Sequence, residues 1–270
     1  MLFEFSNMKF INKVVWITGA SSGIGKELAI QISSLGGILV LSARNEESLK
    51  CLKEELPNSD KHLVLALDLE DADNFVQLTD YVIQKLGRID YLFHSGGLSQ
   101  RSTADETSIN VDRRIMEINY FGNIALTKAV LPFMINQKSG HIVIVSSIAG
   151  KFGFFLRSAY SASKHALHGF YESLLLEQEK NNIAVTLVCP GKINTSISIN
   201  ALNAKGESHG VMDHNQSTGM PVEKCAQQII IAVSKRKKEV LIGNKEILAV
   251  TIKRFFPSLF WKIIRKQSAT

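Results

Sequence analysis

The sequence predicts an α/β fold: a doubly wound parallel sheet in a single domain over residues 1–245, with a C-terminal helical tail over 246–270. Three observations predict it. Short apolar runs alternate with longer helix-forming stretches along the chain. Most of those runs are continuously apolar, the pattern of strands covered on both faces. The chemically distinctive residues fall just after the runs, and ligands of such sheets bind outside the carboxyl ends of the strands.

With 270 residues, 45% of them apolar, the chain can build one large domain with a sizeable core. Its net charge of +6 is spread along the chain. The nearest approach to a basic run, Lys235-Arg236-Lys237-Lys238, reads as a solvated turn between a helix and a strand. No stacking aromatics are interleaved with it, so no nucleic-acid partner is expected. The three cysteines, Cys51, Cys189 and Cys225, are odd in number and far apart, which argues against a disulfide framework and fits a reducing, cytoplasmic setting. Glu4 stands where a leader would be basic, so no signal peptide is read, and no window reaches the roughly 18 uninterrupted apolar residues of a membrane span.

The elements follow in order. Residues 13–17 form a short apolar strand that runs into Thr18-Gly19-Ala20-Ser21-Ser22-Gly23-Ile24-Gly25 and then a helix ending near Gly36-Gly37. A glycine-rich turn between a strand and a helix N-terminus favours phosphate, because bare N–H groups and the helix dipole both attract an anion. Gly19 would permit the tight turn, Gly23 the approach of a pyrophosphate, and Gly25 close packing of helix on strand. Residues 38–42 are the second strand, ending at Ala43-Arg44-Asn45. Dinucleotide folds place an acid about 20 residues after the glycines when they hold the ribose 2′-hydroxyl of NAD. Here the residue 19 positions after Gly25 is Arg44. A cation suits a 2′-phosphate, so NADP(H) is favoured over NAD(H), with Glu46 and Glu47 just beyond weighing slightly the other way.

A polar helix is expected over residues 45–56, then a strand over 62–67 closed by Asp68-Leu69. Asp68 is placed either to touch an adenine ring or to cap the next helix, over 72–86. The strand at 91–93 opens into His94-Ser95-Gly96-Gly97, where backbone can pass close to a cofactor. A long helical region over 108–135 carries Asn119, a buried amide that needs partners: a satisfied core residue or part of a proton relay. Residues 141–146 form the strand that leads to Ser147, and 183–188 form one that ends in Cys189-Pro190-Gly191. Residues 192–220 have weak periodicity and read as a mobile substrate loop. His209, Asp213 and His214 within it lack a clear fourth ligand, so no metal site is expected. A helix over 222–234 and a strand at 240–242 close the sheet.

The chemistry centres on Ser158-Ala159-Tyr160-Ser161-Ala162-Ser163-Lys164. Tyr160 and Lys164 are four apart, which stacks them on one face of a helix. A fixed ammonium about 4 Å from a phenol is worth roughly 4 kcal/mol at an effective dielectric of about 20, on the order of three pKa units. That would bring a tyrosine toward neutral pH, where a general acid or base works best. Ser147 lies thirteen positions upstream at a strand end, from where its hydroxyl can reach the phenol.

On these residues the chain resembles the short-chain dehydrogenase/reductase family, over about residues 11–245. Thr18-Gly19-x-x-x-Gly23-x-Gly25, with Ser21, Ser22 and Ile24 in it, looks like the family's cofactor turn. Ser147, Tyr160, Lys164 and Asn119 fall where its catalytic tetrad falls, and Pro190-Gly191, with Ile193 and Thr195, looks like the turn beside its nicotinamide. The glycine spacing is that of the smaller reductase branch rather than the sugar-epimerase branch. Gly96-Gly97-Leu98-Ser99-Gln100-Arg101-Ser102 and the tail look most like the dehydrogenase/reductase member 7 group and its neighbours, the 11β-hydroxysteroid dehydrogenase-like enzymes. The resemblance implies a Rossmann fold and hydride transfer between a nicotinamide and a carbonyl or alcohol carbon. Tyr160 would move the hydroxyl proton, and Lys164 would lower its pKa and hold the nicotinamide ribose. Ser147 would bind the substrate oxygen, and Asn119 would hold a relay water. It also implies cofactor contacts at Arg44, Asp68, Leu69, Ser95 and Gly96, and a homodimer or homotetramer paired through long helices. One departure is clear: His94-Ser95 replaces the usual Asn-Asn, which would remove side-chain bonds that brace the central strands.

Phe152, Phe154, Phe155 and Leu156 suggest either an apolar pocket wall, and so a lipophilic carbonyl or alcohol substrate, or part of the core. In the tail, Lys253-Arg254-Phe255-Phe256-Pro257-Ser258-Leu259-Phe260-Trp261-Lys262-Ile263-Ile264-Arg265-Lys266 alternates aromatics with cations. Such a segment over 246–266 can lie peripherally in a membrane interface; it can equally pack on the substrate cleft or on a second subunit. The competing function is a catalytically silent NADP-binding sensor or scaffold on the same fold. An intact Ser147, Tyr160 and Lys164 speak against it.

Overall fold

A computed structural model describes residues 10–267. Glu4 and the reading of the N-terminus lie outside the described residues, as do the last three positions of the tail. Among the described residues, seven strands form one sheet: β1 (Val14–Thr18), β2 (Ile38–Ala43), β3 (Leu63–Ala66), β4 (Tyr91–His94), β5 (Gly140–Val145), β6 (Ile183–Pro190) and β7 (Glu239–Ile242). They are all parallel, in the order β3-β2-β1-β4-β5-β6-β7. The order reverses between β1 and β4, and a crevice opens at that switch point.

The helices are α1 (Gly23–Ser34), α2 (Glu46–Glu55), α3 (Phe75–Leu86), α4 (Ile109–Met116), α5 (Gly122–Gln137), α6 (Ser158–Gln178), α7 (His214–Ser217), α8 (Val222–Ser234), α9 (Leu248–Phe255) and α10 (Pro257–Ile264). Successive strand residues face opposite sides, which is why the strands read as unbroken apolar runs. Val15 and Ile17 of β1 pack with Leu28 and Ile32 of α1 and Ile229 of α8 on one face. Val14 and Trp16 pack with Val82 of α3, Val130 of α5 and Leu167 of α6 on the other.

Two elements differ from expectation. Helix α3 starts at Phe75 rather than 72, because Asp68 and Asp71 accept from the Glu70 and Asp73 amides and divert that backbone into turns. The helical region after Ser108 is not one α-helix: a π turn over Glu117–Phe121 separates α4 from α5 and carries Asn119. The stretch 192–220 is tied down. Its Ile193 and Leu202 bridge to Met220 and Gln100, and it contains α7.

Candidate active site

Three glycines shape the turn after β1. Gly19 has φ +67°, and a Cβ there would lie 2.7 Å from the amide of Gly96. Gly25 has ordinary dihedrals, but its Cβ would collide with the carbonyl of Gly19, so the helix can sit this close to the turn only with glycine. Gly23 has φ +52° and faces the Thr195 methyl. Thr18 Oγ1 accepts from the amides of Ser95 and Gly96, each at 3.3 Å, and so locks β1 to the β4 exit. Ser22 is the N-cap of α1 but its side chain makes no capping bond. The free first-turn amides, beside glycines with no Cβ, fit the phosphates of a dinucleotide.

A cleft of about 1450 Å³ runs outside the carboxyl ends of the strands. Along it lie Gly19, Ser21, Ser22, Gly23 and Ile24, then Arg44, Asp68 and Leu69 at one side, and Ser95 and Gly96 at the switch point. Ser147, Tyr160 and Lys164 follow, with Pro190, Gly191, Ile193 and Thr195 opposite the glycine turn. Gly25 and Asn119 are behind this lining. Arg44 is exposed at the rim. Glu46, which weighed against a phosphate there, pairs instead with Lys50 at 2.9 Å along its own helix. Asp68 does not cap α3; its Oδ1 accepts from the Glu70 amide at 3.0 Å, and it still lines the cleft.

Ser147 follows β5 and starts a short 3₁₀ turn over Ile148–Gly150. Its Oγ accepts from the Ala149 amide at 3.1 Å and donates to the Pro190 carbonyl at 3.4 Å. Tyr160 and Lys164 lie one turn apart on the buried face of α6. The Lys164 ammonium donates to the Val145 carbonyl at 2.9 Å and sits 5.6 Å from the centre of the Tyr160 ring. Burial pushes the Lys164 ammonium down to about 8. Burial raises Tyr160 above the usual phenol range; a hydrogen bond with Ser147 opposes this, then the charges of Arg101 and Arg157. Arg101 and Arg157 thus join Lys164 as cations near the phenol, and the sequence had pointed to Lys164 alone.

Asn119 is fully buried, and its amide is spent on structure. Nδ2 donates to the Leu98 carbonyl at 2.8 Å and to Ser163 Oγ at 3.0 Å, while Oδ1 accepts from the Leu98 amide at 2.7 Å. The side-chain amide thus has the partners that the sequence said a buried amide needs.

His94 supplies a brace of its own. Its Nε2 bonds Thr127 Oγ1 at 2.8 Å, which bonds the Tyr171 hydroxyl at 2.8 Å, tying β4 to α5 and α6. Complete burial holds the imidazole down to about 3, so it is neutral. The loss of bracing expected from the missing asparagine is thus met by a different bond.

Sequence reasoning missed several residues. Glu246 Oε1 accepts from the amides of Lys192 and Asn244 at 2.9 and 3.1 Å and presses on Gly191, where a Cβ would collide with it. Its only sequence signal was its place beside the last strand. Asp213, weighed as a metal ligand, is instead a buried counter-ion of Arg101 and Arg157. Behind the site, ligating atoms of His168, Cys189 and Glu239 lie within 4.8 Å of one another, but the Lys151 ammonium already bonds His168 Nδ1 at 3.1 Å and pairs with Glu239. The tail folds over the substrate end: Phe260 is 1% exposed, its ring 5.2 Å from that of Phe152, and Ile252, Ile263 and Ile264 line the cleft.

Comparison with known proteins agrees with this fold. Residues 13–206 match the short chain dehydrogenase family. The chain is 42% identical over 263 residues to dehydrogenase/reductase SDR family member 7B of Mus musculus, covering 95% of this chain and 81% of that protein. It is 42% identical over 263 residues to dehydrogenase/reductase SDR family member 7 of Homo sapiens, covering 94% and 77%. A crystal structure of a short-chain dehydrogenase from Streptomyces avermitilis superposes with a TM-score of 0.81 at 27% identity, covering 95% of this chain and 98% of that one. A metagenomic short-chain oxidoreductase in complex with NADP superposes with a TM-score of 0.70 at 25% identity, covering 86% and 97%. The chain belongs to the short-chain dehydrogenase/reductase family of NAD(P)-dependent oxidoreductases.

Proposed function

We propose that the protein moves a hydride between NADP(H) and a carbonyl or secondary alcohol of a lipophilic small molecule. One observation carries this reading: Ser147, Tyr160 and Lys164 line the same cleft as the glycine turn and Arg44. The nicotinamide supplies the hydride chemistry when bound. The residues of the chain bind, orient and move the proton. The turn Gly19-x-Ser21-Ser22-Gly23-Ile24-Gly25 holds the phosphates, and Arg44 meets the 2′-phosphate with a charge-assisted bond. Asp68 and Leu69 would hold the adenine end, Ser95 and Gly96 the middle of the cofactor, and Pro190, Gly191, Ile193 and Thr195 the nicotinamide end. Tyr160 gives or takes the hydroxyl proton, Ser147 holds the substrate oxygen, and Lys164 reaches the nicotinamide ribose and favours the phenolate. Asn119 continues the relay from Lys164; its Oδ1 and the Lys164 ammonium both border Gly97. The apolar wall of Phe152, Phe154 and Ile252 supports a lipophilic substrate. Comparing NADPH with NADH oxidation across a panel of aliphatic and aromatic ketones tests the reading. Faster turnover with NADPH on the more apolar ketones is expected; indifference to cofactor and carbonyl overturns it.

The tail's outer face fits a peripheral contact with an anionic membrane. Phe255, Phe256 and Trp261 are 64%, 62% and 49% exposed, among Arg254, Lys262, Arg265 and Lys266. Among the described residues no helix is long and apolar enough to cross a membrane. Pairing of two copies through α5 and α6 is also part of the reading; Leu176 on α6 is exposed.

A further inference from the structure

Three segments far apart in sequence meet at the start of α6. Arg101 Nε and Nη2 bond Asp213 Oδ2 at 2.8 and 2.6 Å, and Arg157 Nη2 bonds the same oxygen at 2.9 Å. The side chains of Arg101 and Asp213 are 2% and 1% exposed, and that of Arg157 is 12%. Arg101 Nη1 also donates to Ser99 Oγ at 2.8 Å and to the Gln100 carbonyl at 2.6 Å. Gln100 in turn accepts from the Ala159 amide at 2.9 Å, in the first turn of α6. The residue before Arg157 is strained: Leu156 has φ +59°, a left-handed conformation that bulky side chains rarely adopt. Its carbonyl accepts from the Ser102 amide at 3.4 Å, so the same segment that carries Arg101 holds it in place. Two guanidiniums share one carboxylate, so these three groups carry a formal charge of +1 inside the fold.

We propose that Arg101, Asp213 and Arg157 form a positioning cluster for Tyr160, which pins the loop before α8 to the start of α6 and sets the pH at which the phenol gives up its proton. The proposal rests on the reading of Tyr160 as the proton-transferring group. Arg101 from the segment after β4, Ser147 from the end of β5, and Arg157 and Lys164 from α6 line the same cleft as Tyr160, and the two arginine charges oppose the rise that burial gives the phenol. Asp213, from the loop before α8, reaches the phenol only through the two arginines it pairs. A cation beside a buried phenol favours its ionised form. Arg157 feels the reverse: burial and the like charge of Arg101 bring it down to about 10, with Asp213 opposing.

Two substitutions in this one cluster have opposite signs. Asp213→Asn keeps an acceptor oxygen for the arginines and removes the negative charge. Arg157→Gln removes a positive charge, and Arg157→Lys restores it without the fork. Carbon-13 NMR of the full chain labelled at tyrosine, with Tyr160→Phe identifying one resonance among five tyrosines, reads the titration of the phenol directly. Asp213→Asn is expected to lower its midpoint and Arg157→Gln to raise it, each by on the order of one pH unit, with Arg157→Lys close to wild type. Shifts in the same direction, or no shift in either variant, overturn the proposal; a purely structural cluster would lower the melting temperature of both and leave the midpoint in place. If Asp213→Asn does not fold, the Arg157→Gln and Arg157→Lys pair decides. The titration reports on the phenol whether or not it catalyses, so this result is separable from loss of turnover in Tyr160→Phe.

Discussion

The ammonium of Lys164 stands 5.6 Å from the centre of the Tyr160 ring, one helical turn away, and is tethered to the Val145 carbonyl at the end of β5. The lysine is thus tied to the strand that delivers Ser147. Replacing Tyr160 by phenylalanine should leave NADPH binding, followed by quenching of cofactor fluorescence, within a few-fold of wild type. Turnover should fall by about 10²–10⁴-fold, read as NADPH oxidation with any ketone the wild type accepts.

The depressed Lys164 gives a pH signature. Its folded-state value is about 8 against 10.5 for a free lysine. Between those two pH values the unfolded chain holds the proton and the folded chain does not, so folding stability rises with pH across that window; below it both states are charged and the cost of burying the ammonium is constant. Denaturant unfolding of cofactor-free protein should therefore show wild type gaining on Lys164→Met from pH 8 to 10.5, by up to about 3 kcal/mol. A constant difference would place the ammonium in a far wetter site.

Gly25 and Gly169 should respond oppositely to alanine. A Cβ on Gly25 would strike the backbone carbonyl of Gly19, which cannot swing aside, while Gly169 on α6 has nothing within 4 Å. Gly25→Ala should cost about 1–3 kcal/mol or more and weaken cofactor binding. Gly169→Ala should stabilise by up to about 1 kcal/mol. Thermal melts of both check this.

Arg44 controls cofactor choice if it meets a 2′-phosphate. Arg44→Glu should raise KM for NADPH by about 10–100-fold, the equivalent of one lost charge-assisted contact of roughly 1.5–3 kcal/mol, with little change for NADH. Equal effects on both cofactors would remove the residue from that role.

Phe260 fastens the tail to the body through Phe152. Phe260→Ala should cost about 3 kcal/mol of local packing and release α9 and α10, seen as new protease cleavage near residue 246. Deleting 246–270 should lower binding to anionic vesicles in co-sedimentation and open the apolar end of the cleft, raising KM for lipophilic ketones more than for small ones.

The sequence by itself determined the parallel sheet, because strands covered on both faces must be apolar at every position, as Trp16-Ile17 and Ile142-Val143 are. It also pointed to the glycine turn and to Tyr160 and Lys164 on one helix face, since these depend on local dihedrals and on one helical repeat; the place of Ser147 beside them comes from the fold. What only the tertiary structure decided rests on contacts between residues distant along the chain. Asp213 reads as one more polar residue in a weakly periodic loop until the fold brings Arg101 and Arg157 to it across 112 and 56 positions. His94 reads as a lost brace until Thr127 arrives from α5. The tail's aromatics fit lipid or protein equally well in one dimension, and only packing shows Phe260 turned inward and Trp261 outward. Periodicity records which side of an element is apolar; it does not record what lies opposite, and charge pairing, buried hydrogen bonds and the wall of the cleft are all decided by what lies opposite.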